Sequence, residues 1–384
     1  MANTTNLFSF KLLLFPIWIF SITVSAQTTV GNIQHTSGLR SYRIHLPSGY
    51  QSTQTYPLVF NFHGYTSNAW QQEFYSGMSQ IADDEQFIVV YPEGIGNSWN
   101  VGFSFQSYTS GVDDVGFTNA LIDTLIMLYS IDTTRIYSCG MSNGGYLSYR
   151  LACELSHRIT AIASVTGLMT DSMAYFCSPM RDVPIMQVHG TADPVVNYNG
   201  IPSSLSVEET LLFWVNNNDC QSSYSLNPVP DNNVLDLCTA DFITYHGCND
   251  CAPLIFYRIN GGGHTWPGAT IDNPTVGLTN RDFNASAEIW NFFIQHQMGC
   301  YVSIEQNQLP VVQIYPNPTT SFLQIHNLPN DVQYISIFDI HGHMITALLN
   351  NEILDVSMLH NGIYLLSIHH AKGIEYTRFI KISD

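Results

Sequence analysis

The feature that most constrains the fold is a regular alternation of apolar, strand-like runs with amphipathic, helix-like segments between about residues 39 and 297. The strand candidates are Tyr42–Leu46, Leu58–Phe62, Phe87–Tyr91, Ile136–Cys139, Ile159–Val165, Val183–Val188 and Ile255–Ile259. The helix candidates are Ala69–Asp83, Asp114–Tyr129, Gly145–Glu154, Val207–Asn217 and Ala285–Gln295. This pattern predicts an α/β fold, with a mostly parallel central sheet and helices on both faces. Such sheets bind ligands at the carboxyl ends of their strands.

A glycine-rich pentapeptide, Gly140-Met141-Ser142-Asn143-Gly144, lies between one of these strands and the following helix. In that setting G-x-S-x-G forms a turn so tight that the residues around the serine must lack side chains, and the hydroxyl is held above the sheet edge. The pattern alone recurs by chance, and a turn with a structurally satisfied serine is the alternative. The flanking strand and helix favour Ser142 as a nucleophile.

Two later strand ends carry the partners that a nucleophilic serine needs. A serine hydroxyl requires a base to take its proton and a carboxylate to orient that base. Val183–Val188 runs into a polar turn that contains Asp193, and Ile255–Ile259 runs into a glycine-rich loop that contains His264. The order serine, acid, histidine is that of α/β-hydrolases. We therefore predict a triad of Ser142, Asp193 and His264.

Other acids and histidines fit these roles less well. Asp171 and Asp182 precede the strand that Asp193 follows. His189 ends that strand, and we expect it to form hydrogen bonds within its own loop. His341 and His343 have a spacing that could suit a metal, but no carboxylate or cysteine lies nearby, so no metal site is predicted.

The turn His63-Gly64-Tyr65 follows the strongly apolar run Leu58–Phe62 and is the candidate for an oxyanion hole. A glycine there lets backbone N–H groups face the developing oxyanion, and the donors would be the N–H groups of Tyr65 and Asn143. A simple strand-terminating turn is the alternative.

Aromatic residues accumulate near the same predicted edge of the sheet. Tyr65, Trp99 and Trp266 are the candidates for substrate binding, and Phe103 is a further member of the group. Most aromatic side chains are core packing, and that interpretation holds for about half of these. An aromatic rim suits an apolar or aromatic ester more than a charged one.

The N-terminus has the pattern of a secretory signal peptide in residues 1–26. Lys11 precedes the apolar run Leu12–Ile22, and Val24-Ser25-Ala26 forms a small-x-small cleavage site before Gln27. A transmembrane anchor is the alternative, but the run is short and contains Pro16. No later stretch predicts a membrane span.

The cysteines agree with export to an oxidising compartment. All eight lie after the predicted cleavage site. We expect Cys153 to pair with Cys177 and Cys139, on a buried strand, to stay free. Cys248-Asn-Asp-Cys251 resembles a metal or redox motif, but without a second such pair a disulfide-clamped loop is favoured.

The charge balance excludes one class of partner. Only 12 Lys and Arg stand against 30 Asp and Glu, which gives a formal net charge of −18. Binding to nucleic acid needs clustered cations, so it is not expected. The balance fits a soluble extracellular protein with a neutral substrate.

The sequence pattern changes after Gly299, where the alternation of strand-like and helix-like segments ends. Residues 301–313 are predicted as a linker and residues 314–384 as a small β-sandwich, because short alternating runs are separated by Asn, Asp and Gly. The region resembles the type IX secretion sorting domain of Bacteroidetes-type bacteria. The matching stretches are Tyr315-Pro-Asn-Pro-Thr319, Ile337-Phe-Asp339 with Gly342, Asn361-Gly-Ile-Tyr364 and Phe379-Ile-Lys-Ile382. The resemblance implies a partner in the secretion machinery and no part in catalysis; a carbohydrate-binding or Ig-like module is the alternative.

The catalytic domain is predicted to span residues 27–300, and its segment from about Leu39 to Gln297 resembles the extracellular polyhydroxybutyrate depolymerase and feruloyl esterase family of α/β-hydrolases. The matching stretches are His63-Gly64-Tyr65, Tyr91-Pro-Glu-Gly94, Trp99-Asn100, Val112-Asp-Asp-Val-Gly-Phe117, Gly140-Met-Ser-Asn-Gly-Gly145, His189-Gly-Thr-Ala-Asp-Pro194 and Gly263-His-Thr-Trp-Pro267. One departure is the insertion Gln221–Cys251, between the acid and the base.

The resemblance implies a secreted serine esterase, extracellular or at the cell surface, that needs no metal or organic cofactor. Its substrate would be a polymeric or aromatic ester, either feruloyl or acetyl groups on polysaccharides or a polyhydroxyalkanoate-type polyester. Two alternatives stay open: a non-catalytic surface-binding protein on a hydrolase scaffold, and a serine peptidase of the same fold.

Overall fold

The chain divides into two units, Met1–Val302 and Ser303–Asp384. The computed structural model describes residues 27–103, 111–249 and 251–299 of the first unit. In the second it describes residues 312–326, 328, 332–339, 344–345, 349–350, 353–370 and 373–383. The predicted signal peptide, residues 1–26, lies outside the described residues, as do residues 301–311 of the predicted linker.

The first unit is built on a ten-stranded sheet. Its strands are β1 (Gln27–His35), β2 (Gly38–Leu46), β3 (Tyr56–Phe62), β4 (Ile88–Pro92), β5 (Ile131–Met141), β6 (Ala161–Val165), β7 (Ile185–Gly190), β8 (Tyr224–Pro228), β9 (Thr239–Tyr245) and β10 (Leu254–Asn260). They lie in the order β1-β2-β4-β3-β5-β6-β7-β10-β9-β8. Neighbours from β4 to β10 pair in parallel, and both margins of the sheet are antiparallel. The predicted α/β class is confirmed.

Three strands at the margins, β1, β8 and β9, were not predicted, whereas β2 contains the predicted run Tyr42–Leu46. β1 and β2 pair at one edge, and β8 and β9 extend the other edge within the insertion Gln221–Cys251. β8 is a mostly exposed edge strand that contains Pro228, so it has no apolar run to reveal it. The insertion therefore lengthens the sheet next to β10, the strand that precedes the histidine loop.

Helices cover the sheet between the strands. They are α1 (Ala69–Ser76), α2 (Met78–Glu85), α3 (Asp114–Leu128), α4 (Asn143–Glu154), α5 (Asp171–Phe176), α6 (Val207–Asn217) and α7 (Ala285–Phe293), with 3₁₀ turns at Ile95–Asn97, Val234–Asp236 and Pro274–Val276. The predicted single helix Ala69–Asp83 is in fact two helices. The first ends at Gly77, which adopts a left-handed conformation with φ 62° and donates its N–H to the carbonyl of Glu73. Among the described residues, no helix is both long and apolar enough to cross a bilayer.

The central strand β3 explains why the core has two halves. All its residues are buried. Phe60 packs into the cluster on one face of the sheet, whereas its neighbour Val59 packs into the cluster on the other. Successive side chains of a strand point to opposite faces, so a strand covered on both sides is apolar throughout. The strand ends, with their polar loops, are then where chemistry can be placed.

Two disulfides of the first unit join pairs of described residues. Cys153 at the end of α4 is bonded to Cys177 after α5, and Cys139 on β5 is free and buried, as predicted. Cys248 is bonded to Cys220 rather than to Cys251, so the bond closes the insertion and not the C-x-x-C turn.

The second unit contains two four-stranded antiparallel sheets, as the β-sandwich prediction requires. The strands are β11 (Gln313–Tyr315), β12 (Phe322–His326), β13 (Val332–Phe338), β14 (Met344–Ile345), β15 (Leu349–Asn350), β16 (Ile353–Asp355), β17 (Gly362–His370) and β18 (Gly373–Lys381). Alternate residues of both sheets, such as Leu323, Leu354 and Leu366, form one buried cluster. This unit has a core of its own.

Candidate active site

The turn between β5 and α4 holds Ser142 in a conformation that few non-glycine residues adopt. Its φ is 53° and its ψ is −121°. The Ser142 N–H donates to the carbonyl of Val165 on the neighbouring strand, at 2.8 Å. A backbone held in a sparsely populated region is a mark of functional sites. The geometry is that of the strained turn expected from G-x-S-x-G.

The glycines of the pentapeptide are required by close backbone packing. A Cβ on Gly140 would lie 2.6 Å from the carbonyl oxygen of Gly144. A Cβ on Gly144 would overlap the carbonyl of Phe62 on β3. The first turn of α4 therefore rests directly on two strands, which fixes the position of Ser142.

Asp193 and His264 are brought into direct contact. The Nδ1 atom of His264 lies 2.7 Å from Oδ2 of Asp193. The other carboxylate oxygen, Oδ1, accepts the N–H groups of Val195 and Val196, each at 2.8 Å. Asp193 is 2% exposed. A carboxylate held by backbone donors in a buried turn can orient an imidazole firmly.

His189 supports the acid loop, as predicted. Its Nε2 lies 2.8 Å from the carbonyl of Val196 and its Nδ1 lies 3.1 Å from Nε2 of Gln187. Burial lowers the pKa of His189 to about 4, so at neutral pH the ring is uncharged. Nε2–H then donates to Val196 and Nδ1 accepts from Gln187. Because His189 is uncharged, it does not neutralise the carboxylate of Asp193, which pairs with His264 instead.

Glycines also bring the acid loop and the base loop together. A Cβ on Gly190 would lie 2.6 Å from the carbonyl oxygen of Gly263, and a Cβ on Gly263 would lie 2.5 Å from Cα of Gly277. The N–H of His264 donates to the carbonyl of Val276 at 2.7 Å. Backbone contact on both sides therefore fixes the histidine relative to Asp193.

The predicted oxyanion loop lies beside the nucleophile. A Cβ on Gly64 would be 3.3 Å from Cβ of Ser142. The buried His63 holds the loop: its Nδ1 lies 2.8 Å from the carbonyl of Gly64, and its Nε2 accepts the N–H of Gly94 at 2.9 Å. Desolvation lowers the pKa of His63 to about 4, which keeps this pattern of one donor and one acceptor. Asn143 is the first residue of α4, where backbone N–H groups have no intrahelical acceptor.

Trp99 lies beneath the site rather than at its rim. It is 0% exposed, and its indole Nε1–H donates to the carbonyl of His63 at 2.8 Å. Its backbone N–H donates to Oδ1 of Asn143 at 2.6 Å, and Nδ2 of Asn143 faces the carbonyl of Trp99 at 3.3 Å. One tryptophan thus connects the oxyanion loop to the residue after the nucleophile.

Trp266 is also buried, at 1% exposure. Its Nε1–H donates to Oγ of Ser286 on α7, 3.1 Å away. Neither Trp99 nor Trp266 belongs to the lining of the cavity at Ser142. Both rings are buried beside the loops of the site. The predicted contact of Trp99 and Trp266 with the substrate does not fit this burial.

A cavity of about 420 Å³ is lined by three of the predicted site residues, Tyr65, Ser142 and His264. It is lined by Gly64, Tyr65, Ser67, Trp70, Gln71, Gln72, Phe74, Tyr75, Met141, Ser142, His264 and Ile271. Sequence reasoning placed Tyr65 here but missed Trp70, Phe74, Tyr75 and Ile271. The available signal was the spacing of Trp70 and Phe74, four residues apart on a predicted helix directly after the oxyanion loop. Within the described part of the chain, no group of three or more His, Cys, Asp and Glu is arranged to hold a metal ion.

Comparison with known proteins finds one family match in each unit. The family of the PHB depolymerase esterases matches residues 40–208, and the secretion system C-terminal sorting domain matches residues 313–382. The first match spans the predicted oxyanion loop, Ser142 and Asp193.

Two curated relatives and one solved structure are similar to part of this chain. A putative esterase, NocK, from Nocardia uniformis is 25% identical over 70% of this chain and 83% of its own length. Feruloyl esterase B from Piromyces equi is 30% identical over 59% of this chain, but the match spans only 42% of that protein. An acetyl xylan esterase structure from Aspergillus awamori is 16% identical with a TM-score of 0.47, covering 62% of this chain and 94% of the other.

The two family matches lie in different units of the chain. The sorting domain directs the protein to the extracellular space or the cell surface. Residues 40–208 match the family of the PHB depolymerase esterases, and the protein is a secreted carboxylic ester hydrolase with a C-terminal secretion system sorting domain.

Proposed function

We propose that the protein hydrolyses esters through a triad of Ser142, His264 and Asp193 and a covalent acyl-enzyme. The observation that carries the proposal is the 2.7 Å contact between His264 Nδ1 and Asp193 Oδ2, in a histidine that lines the same cavity as Ser142. The strained backbone at Ser142 supports it, because that conformation presents the hydroxyl at the sheet edge.

The contacts of His264 assign its role. Nδ1–H donates to Asp193, which leaves Nε2 without a proton and able to accept the one on Ser142 Oγ. The serine attacks the ester carbonyl, and the N–H groups of Tyr65 and Asn143 stabilise the resulting oxyanion. His264 then protonates the leaving alcohol. Water hydrolyses the acyl-enzyme with the same histidine as base, and every step uses protein groups and water alone.

The residues that line the cavity favour a substrate whose acyl group is neutral and either apolar or aromatic. Apart from His264, its lining contains no ionisable acid or base other than tyrosine, and it includes the rings of Tyr65, Trp70, Phe74 and Tyr75. Relatives are named feruloyl esterases and, in one case, a bifunctional acetylxylan esterase and xylanase. We therefore infer feruloyl or acetyl esters of polysaccharides, or a polyhydroxyalkanoate-type polyester, as substrates.

The first test replaces the nucleophile. Ser142→Ala should lower turnover of a short p-nitrophenyl ester by at least about 10³-fold, since the residual rate comes from binding and the oxyanion hole alone. Ser223→Ala, at an exposed serine of the insertion, is the matched control and should turn over normally. Circular dichroism checks that both variants fold. Unchanged turnover in Ser142→Ala would sink the assignment.

The second test identifies the ester. Purified protein is compared on feruloylated arabinoxylan, acetylated xylan, polyhydroxybutyrate and an aromatic polyester, with a peptide amide as the fifth substrate. We expect release of acid from at least one ester and none from the amide. Binding to a polymer without turnover of any ester would support a non-catalytic protein instead.

A further inference from the structure

Helix α1 departs from the usual amphipathic pattern, because it buries polar residues and exposes large aromatic ones. Its buried residues are Ala69, Gln72 and Ser76. Of its three aromatic side chains, Trp70 and Phe74 are 57% and 60% exposed, and only Tyr75 is partly buried against the core. Surface helices normally bury their large apolar residues and expose their polar ones. Folding alone gives no reason for this reversal.

The inner face of α1 is held by polar contacts. Nε2 of Gln72 donates to Oδ1 of Asn61 at 2.8 Å, and Nδ2 of Asn61 donates to Oγ of Ser76 at 3.1 Å. The hydroxyl of Ser286 on α7 donates to the carbonyl of Ser76 at 2.7 Å. Because these buried groups are paired, α1 cannot rotate to bury its rings without leaving polar atoms unsatisfied. The rings are therefore kept at the surface.

The rings of Trp70 and Phe74 form one surface beside the nucleophile. Their planes are 9° from parallel and their centroids are 5.8 Å apart. Both line the cavity that contains Ser142 and His264. Trp70 also borders a second cavity of about 200 Å³, so it belongs to the linings of both cavities. The aromatic surface thus continues beyond the catalytic cavity.

We propose that Trp70 and Phe74 form an aromatic platform that binds a planar aromatic ring of the ester next to Ser142. Parallel rings of similar orientation present their faces to a flat group, and offset stacking on such faces is favourable. The continuity of the platform with the cavity places that group within the bound ester. This inference rests on the proposed function, for which it names the class of substrate: esters that carry an aromatic ring.

The platform can be tested by measuring ester binding to a variant that lacks the proposed nucleophile and so does not hydrolyse the ester. The Ser142→Ala protein is titrated with methyl cinnamate, whose ring is on the acyl side, and with phenyl acetate, whose ring is on the alcohol side, and the Kd is measured by calorimetry. Adding Trp70→Ala or Phe74→Ala should raise the Kd of at least one probe about tenfold. Adding Trp70→Phe, which keeps a ring, should restore most of the affinity. An unchanged Kd for both probes in both alanine variants would overturn the proposal.

Steady-state kinetics distinguish a failure of the platform proposal from a failure of the proposed triad. In the otherwise native protein, Trp70→Ala should raise the KM for methyl cinnamate several-fold more than the KM for methyl butyrate. Tyr175→Ala is the matched control, because Tyr175 is an 82% exposed aromatic residue on α5, outside the cavity lining. A native protein that hydrolyses neither ester would overturn the proposed function, whereas equal loss on both esters in Trp70→Ala would overturn only the platform.

Discussion

The carboxylate of Asp193 determines which nitrogen of His264 carries the proton. Its Oδ1 is occupied by two backbone N–H groups, so Oδ2 is the oxygen that accepts from Nδ1. In Asp193→Asn the carbonyl oxygen would keep the backbone donors and the amide N–H would face the histidine. Nδ1 must then accept, and the ring proton moves to Nε2. Ser142 would face a donor instead of a base.

We expect Asp193→Asn to lower kcat for p-nitrophenyl acetate by roughly 10³- to 10⁴-fold, with the fold unchanged. The control is Asp182→Asn, at a carboxylate that precedes β7 and accepts from Nδ2 of Asn249. Its turnover should stay within about twofold of native, because surface contacts of this kind contribute little. A loss under tenfold in Asp193→Asn would remove it from the proposed triad.

The residues at strand ends could be predicted, whereas the burial of nearby rings could not. Ser142, Asp193 and His264 each follow an apolar run and lie among glycines, and both signals are local. Trp266 is two residues from His264, but which side of the backbone its ring occupies depends on α7, whose Ser286 accepts its N–H. Trp70 and Phe74 were missed because amphipathicity predicts large rings inside a helix, and α1 reverses that rule.

At the scale of elements, Trp99 links the loop after β3 to the start of α4. Its indole N–H holds His63, and its backbone pairs with the amide of Asn143. The loop and the helix start carry the two proposed oxyanion donors, so the tryptophan sets their separation. Donors of this kind must be placed before the reaction begins. Loss of the indole N–H would therefore affect the transition state more than substrate binding.

Trp99→Phe should lower kcat about tenfold and leave KM nearly unchanged. It should also cost about 1 kcal/mol of unfolding free energy for the lost hydrogen bond. Trp214→Phe is a matched control: Trp214 is likewise 0% exposed, but its Nε1 has no hydrogen-bond partner among the described residues. It should lose stability through packing and keep its kcat. Equal kcat in the two variants would show that Trp99 is only core packing.

The elements that sequence reasoning missed have physical reasons. The edge strand β8 is exposed and polar, because only one side of it pairs with the sheet. The break between α1 and α2 is due to one residue, Gly77, in a left-handed conformation. The buried strands β3, β4 and β7 were found because burial on both faces makes a run apolar throughout. Edges and breaks lack that signal.

At the scale of the whole molecule, buried neutral histidines couple folding to pH. Burial lowers the pKa of His63, His189 and His296 to about 4 in each case. The unfolded chain binds protons at these sites below its ordinary pKa of about 6.5, while the folded protein resists protonation until about pH 4. Their contribution to stability is therefore complete above pH 6.5 and is lost as the pH falls towards 4.

His296 allows this effect to be measured away from the active site. It follows α7, its ring lies edge-on to Phe292 at 4.7 Å, and its Nε2 is buried without a hydrogen-bond partner in the described part of the chain. Desolvation and the positive charge of Arg181 both lower its pKa. Because the ring already lies against an aromatic side chain, phenylalanine is a suitable replacement that does not titrate.

We expect His296→Phe to stabilise the protein increasingly as the pH falls. The gain relative to native should be small at pH 7.5 and should grow by roughly 2 kcal/mol by pH 4.5, since only the native unfolded chain gains a proton at this site. Urea unfolding at the two pH values measures the difference. A gain that is the same at both pH values would mean that His296 titrates normally in the folded state. In that case His63 and His189, within the loops that hold the proposed catalytic groups, would remain as the histidines whose pKa burial lowers to about 4.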